Sequence, residues 1–108
     1  MSDRLPTALL VSALLRRVND SGGFGAVLAK GDAQAGGILV ILAPRGSPPR
    51  VVERGLGPDG TTALIESQAG DGVADYWRRR RRYDPDVWVV ELDSPQAERF
   101  TAETLLSN

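Results

Sequence analysis

Proline and glycine punctuate this sequence at four places, and the intervals between them limit every element it can form. Gly22-Gly23-Phe24-Gly25, the run from Gly31 to Gly37, the three prolines between Pro44 and Pro49, and Gly55-Leu56-Gly57-Pro58-Asp59-Gly60 cut the chain into short segments. No strand–helix–strand alternation repeats among those segments, which argues against a doubly wound parallel sheet.

Periodicity assigns the pieces. Leu10, Leu14 and Val18 recur at i, i+4 and i+8 beside Leu15, predicting a helix over about 7–18 with Thr7 as its N-cap. The run Leu9–Val11 also suits an opening strand. Phe24 to Lys30 and Gly37 to Ala43 read as the arms of a β-hairpin, the second arm apolar on both faces as a central strand is. Arg50–Arg54 and Thr61–Ser67 read as two further strands about a Pro-Asp-Gly turn. Asp71 is placed to cap a helix over about 72–82, which Asp84-Pro85 ends. Val87 to Leu92 is the clearest strand, with Trp88, Val90 and Leu92 on one face. The tail from Glu98 to Leu106 suits an edge strand or a helical turn equally. The expected fold is one α+β domain over 1–108 in two layers. It has a mostly antiparallel sheet of four or five strands with two helices on one face, and residues 1–4 and 105–108 frayed.

Missing residue types close several chemistries. The 108 residues contain no cysteine and no histidine, so thiol nucleophiles, Ser–His triads and Cys- or His-ligated metals are excluded. The apolar stretch Ala8–Leu15 is interrupted by Ser12 and stopped by Arg16 and Arg17, and Asp3 precedes it, unlike a signal peptide or a spanning helix. A cytoplasmic protein with no membrane contact is the expectation.

The formal charge is −1, with a balance of +3 over residues 1–54 and −4 over 55–108. The five consecutive arginines, Arg78 to Arg82, therefore lie in the acidic half. On a helix they sweep around the axis and form no single stripe. Arg78, Arg79 and Arg82 point towards solvent, whereas Arg80 falls on the apolar side with Val73, Tyr76 and Trp77. An arginine there must snorkel to solvent or pair, and Asp84 and Asp86 are the nearest acids in sequence. Gly55-x-Gly57-x-x-Gly60 matches a dinucleotide fingerprint in letters alone, because Pro-Asp-Gly is turn chemistry and no helix signal follows. Asp84, Asp86, Glu91 and Asp93 are candidates for acid–base work or a Mg²⁺ site; as solvated turn and strand residues they need no such role.

Three pieces in order carry a family resemblance: L-L-V-S-A-L-L-R-R, then K-G-D-A-Q-A-G-G-I-L-V, then R-R-Y-D-P-D-V-W-V-V-E-L-D. Together they resemble the bacterial domain-of-unknown-function family 1491 over about residues 5–102. Arg16, Gly31, Asp32, Gly36, Asp84, Pro85, Asp86, Trp88 and Glu91 match its pattern. The resemblance implies a small single-domain protein and supplies no catalytic residue or cofactor. Candidate binding residues are Arg16, Asp32, Arg80, Asp84, Asp86, Trp88 and Glu91, with no catalytic or metal-binding residue and no cofactor.

The function expected is a non-catalytic binding or protein-interaction module. The alternatives are a nucleic-acid-associated protein using Arg78–Arg82 and a small carboxylate-dependent, Mg-assisted enzyme using Asp84, Asp86, Glu91 and Asp93. The expected partner is a protein or a second copy of the chain. Leu39, Ile41, Val87 and Val89 lie opposite the predicted core face and would form an apolar patch for a homodimer.

Overall fold

The two most deeply buried strands of the chain lie side by side in the middle of the sheet. In the computed structural model, which describes residues 5–107, these are β2 (Ile38–Leu42) and β5 (Trp88–Asp93). They pair in parallel, from Ile38↔Trp88 to Leu42↔Leu92. β1 (Phe24–Ala29) lies antiparallel on the outer side of β5. β3 (Arg50–Leu56) and β4 (Thr62–Ala69) extend the sheet antiparallel beyond β2, giving the order β1-β5-β2-β3-β4. The mostly antiparallel five-stranded α+β sheet is the one expected from the sequence.

The predicted hairpin between Phe24–Lys30 and Gly37–Ala43 does not form, because β5 is inserted between its arms. Burial explains the insertion. Val89 and Val90 are fully buried and suit a place with neighbours on both sides, whereas Phe24, Val27 and Leu28 on β1 are exposed, as an edge strand tolerates.

Helices cover both faces of the sheet. α1 (Thr7–Asp20) and α3 (Ala97–Leu106) share one face. There Leu10, Leu14, Val18, Phe100 and Leu105 close over Val40, Leu42, Val52, Trp88, Val90 and Leu92. α2 (Val73–Tyr83) lies on the other, where Val73, Tyr76 and Trp77 cover Leu39, Ile41, Val51, Val87 and Val89. The apolar patch expected to drive self-association is thus internal. One short arginine-rich helix suffices to cover it, because its three apolar residues fall on a single side.

Local details depart from expectation at three points. Pro6, not Thr7, precedes the first helical residue, and the buried Thr7 hydroxyl donates to the Gly36 carbonyl at 2.7 Å. Asp71 sits inside a 3₁₀ turn over Gly70–Gly72, and Gly72 occupies the cap of α2. The ambiguous tail is helical. Leu105 is buried there and not frayed, while residues 1–4 and Asn108 lie outside the described residues. Gly57–Gly60 is the expected tight turn, closed by the Gly60 N–H on the Gly57 carbonyl at 3.0 Å, with Gly60 at φ +82°.

Candidate functional site

The family-pattern residues converge, and most of them hold a crossover together. Chain leaving β1 passes over the start of β5 to reach β2, through residues 30–37. The Asp32 carboxylate accepts the Gln34 and Ala35 N–H groups at 3.1 and 2.8 Å, shaping that crossing. Its backbone N–H donates to the Asp86 carbonyl at 2.9 Å, and its carbonyl accepts the Trp88 indole N–H at 2.8 Å. A Cβ on Gly31 or Gly36 would overlap the Asp86 carbonyl oxygen, so both positions require glycine. Asp84 accepts the Asp86 N–H at 3.1 Å, and the Arg81 guanidinium donates to the carbonyls of Pro85 and Val87. Asp32, Asp84, Asp86 and Trp88 therefore brace one loop against another.

Arg80 finds a different partner from those nearest in sequence. Its Nη1 and Nη2 donate to Glu53 on β3 at 2.7 and 2.8 Å in a two-pronged pair, and Nη1 also reaches the Tyr76 hydroxyl at 2.6 Å. The Ser67 hydroxyl donates to the same carboxylate. Asp84 and Asp86 take no part, because α2 lies across the sheet and aims Arg80 at β3. Burial pushes the Glu53 carboxyl up, but the Arg80 and Ser67 hydrogen bonds outweigh it and hold the pKa below the ordinary value. The Glu53 pair raises the Arg80 pKa further above its already high range, against the effect of burial.

Of the five arginines, Arg80 and Arg81 turn inward to these bonds. Arg78, Arg79 and Arg82 are exposed and form no ion pair among the described residues. Arg78 and Arg79 lie over the Trp77 and Tyr76 rings at 5.3 and 5.6 Å. The remaining candidates lie apart. Arg16 is exposed on α1, while its neighbour Arg17 stacks on Phe100 at 4.5 Å and pairs with Glu103 at 2.6 Å. Glu91 is half-buried on β5 opposite Ala26 and Ile41, and Asp93 accepts the Arg45 N–H at 3.2 Å. No group of three or more acids is placed to hold a metal among the described residues.

The sheet itself opens beside the Arg80–Glu53 pair. The β2–β3 ladder runs from Leu42↔Arg50 only to Val40↔Val52, yet β3 continues to Leu56, paired on its other side to β4. Backbone directions follow from the alternation of hydrogen bonds along a strand. The Trp88 N–H binds the Gly37 carbonyl at 2.8 Å and the Ala43 N–H binds the Leu92 carbonyl at 2.9 Å. Odd-numbered residues of β2 therefore face β5, and Ile38 faces β3. The Gly57 N–H binds the Thr61 carbonyl at 2.8 Å, so Glu53 and Gly55 face β4 while Arg54 and Leu56 face the opening. Ile38 and Arg54 stand where the next rung would be.

An open groove of about 600 Å³ occupies this parting. Its walls include Gly36, Gly37 and Ile38 on one side and Glu53, Arg54, Gly55 and Leu56 on the other. Leu10 and Leu105 line it from the α1/α3 side, and Arg80, Asp84 and Val87 from the α2 side. Arg54 is half-buried and has no ion pair among the described residues; Leu56 is 72% exposed. Sequence reasoning singled out Arg80 and Asp84 from this groove and missed Glu53, Arg54 and Leu56. The signal available was the glycine pair Gly36-Gly37 facing Gly55, which leaves the parted ends without side chains to fill them.

Comparison with known proteins places this geometry among relatives. The model of a family described as protein of unknown function, DUF1491, matches residues 5–102. A crystal structure of a DUF1491 family protein from Caulobacter crescentus is 33% identical, with 90% of this chain and 94% of that one covered and a TM-score of 0.78. A solution structure of a protein from A. tumefaciens is 30% identical, covering 84% and 86% of the two chains at a TM-score of 0.69. No curated protein matches the chain.

Proposed function

The chain belongs to the DUF1491 family, and on that footing we propose that it is a cytoplasmic, non-catalytic binding module whose ligand enters the groove between β2 and β3. One observation carries the reading: the sheet parts where backbone groups of Ile38, Arg54 and Leu56 face the same space as an arginine without an ion pair among the described residues and several apolar side chains. Backbone polar groups in a fold are otherwise satisfied by a ladder, a side chain or water, so an open rung beside a groove favours a ligand that completes it. Support also comes from how the other candidates are used. Asp32, Asp84 and Trp88 are engaged in bracing the crossover, and Arg80 is engaged by Glu53.

Differential capture tests the proposal. Tagged wild-type protein and an Arg54→Glu/Leu56→Asp variant are exposed to the same native lysate, and proteins, nucleic acids and small molecules are analysed together. Both substitutions fall at positions without an ion pair among the described residues and outside the buried core, and far-UV circular dichroism checks that the variant is folded before capture. The expected result is a species held by the wild type and lost from the variant. Identical profiles from the two would refute the groove as the binding site.

A further inference from the structure

We infer that the groove takes an extended peptide, added as a strand to the free edge of β3, with an acidic side chain opposite Arg54. The inference rests on the binding reading above and names its ligand class.

Backbone geometry comes first. Arg54 and Leu56 present their N–H and C=O groups to the opening, and an added strand satisfies both in one register. Small ligands have no such repeat of donors and acceptors. Gly37 and Gly55, which line the groove, add no side chain to its walls where a second backbone approaches.

Side-chain chemistry sets the sequence of the guest. Arg54 and Leu56 are separated by one residue and share the sheet face that carries Val52, Leu10 and Leu105. Cross-strand neighbours on one face interact directly, so the guest residue facing Arg54 is acidic and the one facing Leu56 is aliphatic. Lying antiparallel to β3 in the parting between it and Ile38, the guest reads aliphatic–x–acidic. The other charges at the groove do not compete for the acid. Glu53 is neutralised by Arg80, and both lie with Asp84 on the α2 side of the sheet. Arg54 is the cation that faces the guest on the α1/α3 side.

The test uses two short capped peptides in a threonine background, one carrying Leu-Thr-Glu and one Leu-Thr-Lys, titrated into isotopically labelled protein and followed by amide chemical shifts. The Glu peptide is expected to move the amides of Ile38, Arg54 and Leu56. The Lys peptide should bind about tenfold more weakly, as expected of one lost charge pair in a partly desolvated site. Arg54→Glu should invert the preference, and the milder Arg54→Gln should abolish it if the charge-reversed protein fails to fold. A preference unchanged by Arg54→Gln would overturn the inference. So would peptides that leave all three amides unmoved. If a library of small carboxylates moves those amides while both peptides do not, the strand inference falls and the binding reading stands.

Discussion

Removing the Arg80 side chain should unfasten α2 from the sheet, and the loss can be worked from the contacts it makes. The pair with Glu53 is two-pronged, at 2.7 and 2.8 Å, with side chains 35% and 22% exposed. Exposed ion pairs contribute about 0–1 kcal/mol, whereas breaking a buried one costs about 3–5 kcal/mol. A half-buried pair lies between these limits. Arg80→Ala leaves Glu53 with only the Ser67 hydroxyl and frees the Tyr76 hydroxyl, so a loss of about 2 kcal/mol is expected. Arg78→Ala and Arg82→Ala, which break no ion pair among the described residues, should each stay within about 0.5 kcal/mol. Urea unfolding with constant m-value measures all three. A double-mutant cycle with Glu53→Gln should recover a coupling of about 1–2 kcal/mol. Equal effects at positions 78, 80 and 82, or no coupling to Glu53, would refute the placement of Arg80 on the β3 side of the helix.

Three further outcomes are expected. Gly36→Ala should destabilise by about 3 kcal/mol in the same urea assay, at the upper end of overpacking costs, because the new methyl meets the Asp86 carbonyl and rigid backbone cannot yield. Acid titration should reveal Glu53: with its folded pKa below the unfolded value of about 4.3, its contribution is complete above that pH. The contribution is lost as pH falls through the folded value, and Glu53→Gln should flatten this part of the stability profile. Replacing Arg78, Arg79 and Arg82 together should leave any nucleic-acid binding at physiological salt unchanged and weak; a wild-type affinity that falls steeply with salt and vanishes in the triple variant would contradict this.

Elements set by local pattern were legible in the sequence. The 3.6-residue spacing of Leu10, Leu14 and Val18 marked α1, the alternation of Trp88, Val90 and Leu92 marked β5, and Pro58-Asp59-Gly60 marked a turn. Pairing was less legible. The hairpin reading failed because nothing near Phe24–Ala29 or Ile38–Leu42 announces that a strand some fifty residues further on will separate them. The partner of Arg80 was hidden for the same reason. An arginine on an apolar seam requires an acid, but Glu53 is 27 residues away and only the packing of α2 selects it. The apolar side of α2 was legible, but its place was not: both helices were expected on one face, whereas the tail folds as α3 beside α1 and leaves the other face to Val73, Tyr76 and Trp77. The groove was the least legible feature, since it depends on where a ladder stops. Its nearest trace in the sequence is the glycines at 36, 37 and 55.

Whether the sheet is parted at the end of β3 can be read from native-state hydrogen exchange. Glu53 and Gly55 direct their N–H groups to β4, whereas Arg54 and Leu56 direct theirs into the opening. A parted sheet gives an alternating pattern, with Glu53 and Gly55 protected and Arg54, Leu56 and Ile38 exchanging fast in the free protein. Uniform slow exchange through residues 53–56 and at Ile38 would mean that the ladder is closed, and would contradict the parting.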